Sequence, residues 1–253
     1  MALQNRSLGA GMLAGVLLVA AACATPPQDP IARAAFDEAN DPFEPMNRAI
    51  FDFNQFVDRN ALKPIATVYR DYTPDPFQDA VQKFTRNLGR PLTFIHDLLQ
   101  GEVSRAGVTL ARFVTNTVTS AGFQDLAEEG FALQHHSEDF GQTLAVWGVG
   151  EGPYIMLPIF GPSTLRDTVG RVADGFANPV RIAADHVDVS LQYTGTGVAE
   201  GIDQRARLIN ITDDLERSSL DYYAALRSLY RQDRDKEIRN GQAGPPTTLR
   251  IPD

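Results

Sequence analysis

The chain is short of the residue types that several protein classes require. It has one cysteine, Cys23, in 253 residues, which rules out a disulfide within the chain. It has three lysines, and 23 Lys and Arg in all stand against 32 Asp and Glu, for a net charge of −9. Removing residues 1–22, which carry Arg6 and no acid, leaves −10. That balance excludes a nucleic-acid binder built on phosphate neutralisation. It equally excludes attachment to anionic lipid by charge alone. No apolar run reaches the roughly 20 residues of a membrane-crossing helix. Catalytic signatures are missing as well: there is no G-x-S-x-G elbow and no H-E-x-x-H. No internal repeat or low-complexity block appears, so residues 41–240 read as one domain, long enough to build a core without disulfides.

What is present begins at the amino terminus. Arg6 precedes a 15-residue apolar stretch, Leu8 to Ala22, which is too short to span a membrane and reads as the h-region of a signal peptide over residues 1–22. It ends at Ala20-Ala21-Ala22-Cys23, which resembles a bacterial lipobox, with Ala20 where Leu is commonest. Cys23 is then the site of lipidation. Several acyl chains on one residue would hold the protein permanently on a membrane. Residues 23–40, with Pro26, Pro27 and Pro30, read as a lipidated tether. Residues 241–253, after Asn240-Gly241, read as a flexible tail. The preference for Arg over Lys, 20 to 3, suits bidentate phosphate binding, and genomic base composition explains such a bias as readily.

Helical periodicity dominates the domain. Apolar stripes run through Met46, Ile50, Phe53 and Val57, and through Leu92, Ile95, Leu98 and Leu99 in a helix opened by Pro91. Others run through Val103, Gly107, Leu110, Val114 and Thr117, and through Leu165, Val169, Val172 and Phe176 after Pro162-Ser163. A weaker stripe spans Val198 to Ile209, and a charged helix begins at Tyr222. Few segments alternate with period two, so the expected fold is all-α.

Residues 141–161 fit neither template. They are strongly apolar yet broken by Gly148, Gly150, Gly152, Pro153 and Pro158, too interrupted for a helix. The glycine spacing lacks the Lys and following helix of a phosphate loop. The segment reads instead as a buried loop, or as an apolar surface meeting lipid or protein, with Trp147 and Tyr154 suited to such an interface. His135-His136-Ser137-Glu138-Asp139 holds the letters of a hydrolytic or metal site but reads as a solvated polar loop. His96 reads as a structural histidine. His186 sits among too few oxygens for a calcium loop. No metal, cofactor or catalytic group is expected.

The order of short motifs then points to a family. Asn40-Asp41-Pro42-Phe43-Glu44-x-x-Asn47-Arg48, followed by Phe51-x-Phe53-Asn54, resembles the opening of the MlaA (VacJ) lipoproteins of diderm bacteria. Trp147-Gly148-Val149-Gly150-x-Gly152-Pro153-Tyr154 and Gly161-Pro162-Ser163-x-Leu165-Arg166-Asp167 are the most specific later parts. The resemblance runs from the lipobox to about Gly241, with Lys83 and Tyr222 as departures from the usual residues.

That resemblance implies a ring-like bundle of amphipathic, partly interfacial helices. It implies an outer-membrane lipoprotein, anchored on the periplasmic side in the inner leaflet and associated with a trimeric porin. Such a protein passes mislocalised phospholipids to a soluble periplasmic carrier of the MlaC type. The same resemblance suggests a helix setting channel state around Phe51, Asp52, Phe53 and Asn54. It also suggests a mobile hairpin carrying Gly141, Trp147, Gly148, Gly150, Gly152 and Pro153. Arg48, Arg112 and Arg166 are candidate headgroup contacts, each of which could instead hold a helix through an internal ion pair. Two other readings stand beside transport: a scaffold tethering porins to periplasmic machinery, and a phospholipid hydrolase using His135 or His136.

Overall fold

The computed structural model describes residues 25–242; residues 1–24, Cys23 among them, and 243–253 lie outside them. The fold is all-α, as expected, with one small hairpin. Helices α1 (Pro30–Ala39), α2 (Glu44–Val57), α3 (Lys63–Tyr72), α4 (Asp75–Leu99), α5 (Val103–Ser120), α6 (Leu126–Phe131) and α7 (Phe140–Val146) come first. Strands β1 (Tyr154–Leu157) and β2 (Gly161–Thr164) pair antiparallel, Tyr154 opposite Thr164. Then follow α8 (Leu165–Ala177), α9 (Pro179–His186), α10 (Ser190–Ser218) and α11 (Tyr222–Ile238).

Local chemistry accounts for many boundaries. Side chains of Asp125, Asp139, Thr164, Asn178 and Asp221 accept backbone N–H bonds at the starts of α6, α7, α8, α9 and α11, satisfying donors that a helix start leaves open. Asn40 and Ala121 close α1 and α5 in the left-handed conformation. Between α2 and α3 the chain stays helical through one π turn, Asp58–Leu62. Pro64 lies just beyond it, and a proline ring collides with the carbonyl four residues earlier in a regular helix; a π turn is one way to make room. Three sequence expectations are corrected here. Pro91 does not open a helix but lies inside α4. Residues 30–39 of the tether are helical. Residues 141–161 are part helix (α7) and part hairpin, because the glycines and prolines cluster after Val146, where the helix stops.

The main finding is the direction in which the apolar stripes point. In a soluble bundle they line the core. Here α5 buries Ala106, Thr109, Arg112 and Asn116 while Val103, Leu110, Val114 and Val118 face outward. In α4, Arg90, Thr93, His96 and Asp97 point inward, and Ile95, Leu98 and Leu99 outward. In α8, Arg166, Asp167 and Gly170 are inside and Val169, Val172 and Phe176 outside. Among the described residues, twenty polar or charged side chains are buried against ten apolar ones, so the interior is polar and the surface greasy. Two small apolar clusters remain: Phe51, Tyr154, Met156 and Tyr223 where α2, β1 and α11 meet, and Ala66, Ala206 and Ile209 between α3 and α10. No described helix is long and apolar enough to cross a membrane.

Two contacts fix the hairpin region. Asn47 is fully buried; its amide donates to Asp41 Oδ1 (2.7 Å) and to the Tyr154 carbonyl (3.1 Å), and its oxygen accepts from the Met156 N–H (2.9 Å). Gly170 in α8 backs directly onto α7: a Cβ there would lie 2.4 Å from the Gly141 backbone nitrogen. Asn47→Ala is expected to cost about 3 kcal/mol, since it strands buried backbone groups of β1. Gly170→Ala should cost about 1–3 kcal/mol through overpacking. Thermal unfolding in detergent checks both, and wild-type midpoints would show that neither contact is limiting.

Candidate functional site

A cavity of about 820 Å³ lies between α4, α9, α10 and the loop 132–139. Its wall carries Arg86, Arg90 and Arg181, His135, and the carboxylates of Asp185 and Glu200. Arg90 is 3% exposed. Its Nη1 donates to the His136 carbonyl (2.8 Å) and its Nη2 to His135 Nδ1 (2.6 Å), so the His135 ring accepts at Nδ1 and carries its proton on Nε2. Burial, then the nearby Arg112, pulls Arg90 down to about 10. Burial, then Arg90 and Arg86, pushes His135 down to about 4. The histidine is therefore neutral at physiological pH, in a strongly positive corner.

The segment 135–139 is a loop, as expected from the sequence, with His135 and Ser137 exposed, but His136, Glu138 and Asp139 turn inward. His136 Nε2 donates to Asp97 (3.1 and 3.2 Å), and the Thr109 hydroxyl donates to the same carboxylate (2.6 Å). Glu138 is buried and accepts from Gln100 and Arg105. A hydrolytic relay needs a base facing a hydroxyl whose proton it can take. Here His136 Nε2 and the Thr109 hydroxyl both spend their protons on Asp97, and Thr109 is fully buried. His96 is a satisfied interior histidine, as expected, between Thr143 Oγ1 (3.0 Å) and Asp174 Oδ1 (2.8 Å). Among the described residues no three His, Cys, Asp or Glu side chains are arranged to hold a metal.

The arginines singled out from sequence lie away from the cavity wall. Arg48 pairs with Glu44 (2.7 Å) and Asp221 (2.6 Å) and stacks 4.4 Å from the Tyr223 ring; the bond to Asp221 above all holds its guanidinium more firmly protonated. Arg112 is fully buried against Asp125, Glu128 and the Leu133 carbonyl. Arg166 pairs with Asp167 (3.2 Å). Arg86, Arg90 and Arg181 were missed, although Arg86 and Arg90 stand four residues apart on one helix with no acid between them to pair either. That was the available signal.

The helix 51–54 and the hairpin, proposed separately, are brought together. Asn54 donates to the Leu157 carbonyl (2.9 Å) and accepts from the Ile159 N–H (2.7 Å), gripping the hairpin turn. Ile159 there has φ 69, a strained state for a β-branched residue. Phe51 packs edge-on against Tyr222 and Tyr223, whereas Asp52 and Phe53 face outward, Phe53 49% exposed. Gly148 (φ 89) and Gly152 (φ 66) supply left-handed turns, Gly150 is exposed, and Pro153 is half-buried. Trp147 is half-exposed and its indole N–H donates to the Leu99 carbonyl (3.0 Å). Arg234 ties α11 to Asp139 (2.6 Å) and Asp167 (3.0 Å) just behind Gly141.

The protein thus combines a polar interior, exposed apolar helix faces and a cavity lined by charges of both signs. Comparison with known proteins gives its family. Residues 39–237 match the model of the MlaA lipoprotein family. The chain is 36% identical over 210 residues to the intermembrane phospholipid transport system lipoprotein MlaA of Escherichia coli K12, covering 81% of each. It is 32% identical over 214 residues to the protein of that name from Haemophilus influenzae, covering 81% of this chain and 82% of the other. A chain solved in work on the structural basis for maintenance of bacterial outer membrane lipid asymmetry superposes with a TM-score of 0.69 at 36% identity, covering 78% of this chain and 98% of that one. The chain belongs to the MlaA lipoprotein family.

Arg112→Gln is expected to cost about 3 kcal/mol, because it removes the buried guanidinium that pairs with the half-buried Asp125 and the Leu133 carbonyl; a near-wild-type unfolding midpoint would refute that. His135 gives a pH prediction. Unfolded histidine titrates near 6.5 and the folded one at about 4, so between these values the unfolded chain holds a proton the folded chain refuses. This group therefore removes stability as pH falls from about 6.5 to 4 and has no effect above. In a pH series of unfolding midpoints, His135→Gln should flatten that part of the curve; an unchanged slope would count against it.

Proposed function

We propose that this chain is an outer-membrane phospholipid-transport lipoprotein, non-enzymatic, anchored through Cys23 on the periplasmic side. It takes phospholipid that has strayed into the outer leaflet and passes it to a soluble periplasmic carrier of the MlaC type, in association with a trimeric porin. The relatives named above motivate the substrate and the system. The observation that carries the reading is the inverted distribution of polarity. Apolar side chains such as Phe53, Phe56, Val118 and Phe176 are exposed on several helices, which water would penalise at roughly 25 cal/mol per Å² and the hydrocarbon of one leaflet would not. A polar interior beside that surface offers a phospholipid headgroup a path while its acyl chains stay among apolar groups, avoiding the cost of charge in lipid. The amphipathic helices would then form a ring around that path. The grip of Asn54 on the strained hairpin turn supports a role for residues 51–54 and 141–153 in setting channel state. The acidic net charge leaves no part for nucleic acid, and no nucleotide motif is present, so the direction of flow is driven from elsewhere.

The test is outer-leaflet phosphatidylethanolamine in cells lacking the gene, read with a membrane-impermeant amine label. Deletion should raise the label, wild type should reverse it, and Cys23→Ala should not. No rise in an envelope that is still fragile would favour the scaffold reading. Phe53→Asp places a charge on the outward face without touching the polar interior. It should raise outer-leaflet label while protein level holds; equal loss of protein and asymmetry would make α2 merely structural.

A further inference from the structure

The arginines of this protein are not distributed evenly between paired and unpaired. Among the described residues, fourteen of eighteen stand within salt-bridge distance of a carboxylate. The four that do not are Arg86, Arg90, Arg171 and Arg181, and three of these line the one cavity of about 820 Å³. Arg90 is buried with hydrogen bonds only to neutral groups, and Arg181 donates to the Gly175 carbonyl. The same wall holds Asp185 and Glu200, neither within salt-bridge distance of a cation; the one polar contact to Glu200 is the Gln204 amide at 3.4 Å. Charges of both signs are thus held apart in one cavity, where a ligand can complete both.

We propose that this cavity receives a zwitterionic aminoalkyl phosphodiester headgroup: Arg86 and Arg181, backed by Arg90, take the phosphate, and Glu200 takes the ammonium. The inference rests on the transport reading above and adds the headgroup class. Guanidinium forks suit phosphate oxygens. An anionic headgroup without an amine would satisfy the arginines and leave Glu200 uncompensated, which is a source of discrimination. The volume lies within the range of small-molecule sites. Burial raises the Glu200 carboxyl while Arg86 opposes it, as expected of a half-buried acid lacking a close cation. Val189 and Leu191, which flank the lining residue Ser190 in the chain, are exposed, apolar groups near the site that favour a lipid over a free phosphodiester.

The test uses the full lipidated chain in non-ionic detergent, titrated with dihexanoyl phosphatidylethanolamine, dihexanoyl phosphatidylglycerol and glycerophosphoethanolamine. Wild type should prefer the ethanolamine lipid by on the order of tenfold, the worth of one charged hydrogen bond. Glu200→Gln should remove that preference and leave the glycerol lipid unchanged. The double variant R86Q/R181Q should weaken both lipids about tenfold at an unchanged unfolding midpoint, which shows that the fold survives. Equal wild-type affinities, or a preference unmoved by Glu200→Gln, would overturn the headgroup assignment and leave transport standing. Glycerophosphoethanolamine binding as tightly as the lipid would assign the site to a soluble phosphodiester and overturn it as a lipid site. Failure of both lipids to bind, with no rise in outer-leaflet label on gene deletion, would remove the transport reading itself.

Discussion

Charge buried in a protein interior must be paired or it is prohibitively costly, and most of this structure follows from meeting that condition. Asp97 serves His136, Thr109 and, at longer range, Arg105. Arg112 joins α5 to the residues before and within α6, and Arg234 joins α11 to the starts of α7 and α8. Such pairs add little net stability over a well-packed apolar core, but each holds its elements in one register, because separating partners leaves a bare charge. An interior committed to these networks has no room for the apolar faces of the same helices. They turn outward and stay exposed. Interior and surface are one constraint seen from two sides.

The hairpin region shows how backbone groups are drawn into the same scheme. Asn47 and Asn54, seven residues apart on α2, hold the two ends of β1 and its turn. On the other side, the contact of Gly170 with Gly141 lets α8 approach α7 closely enough for Arg234 to reach carboxylates on both. The hairpin is therefore clasped between α2 and the charged underside of α11. A change in α2 has a direct mechanical route to the turn at Ile159.

Against this background of satisfied charges the large cavity is the exception. Its arginines lack carboxylate partners, its histidine is kept neutral by burial and then by Arg90 and Arg86, and its carboxylates lack a salt-bridged cation. Where a protein elsewhere pairs nearly every charge, a group of unpaired ones marks a place prepared for something else.

The helical class and the amphipathic stripes were legible in the sequence because helix period is a local property. The motif order from Asn40 to Asp167 was likewise enough to suggest the family. Two features at the site were not legible. Arg48, Arg112 and Arg166 stood out in their motifs, yet which arginine meets a carboxylate depends on residues such as Asp221 and Asp125 brought near by folding. Arg181 and Glu200 lie on different helices from Arg86, and nothing local joins them. The loop 135–139 looked solvated because its letters are polar; His135 and Ser137 are exposed, but His136 and Glu138 are held inward by Asp97, Gln100 and Arg105, partners more than thirty residues away. The sequence by itself determined helix against strand, the amphipathic period and the single cysteine, since these depend on neighbours a few residues apart. Tertiary structure alone decided that the apolar stripes face out and that three arginines share a cavity, since both depend on which faces the charge networks pull together.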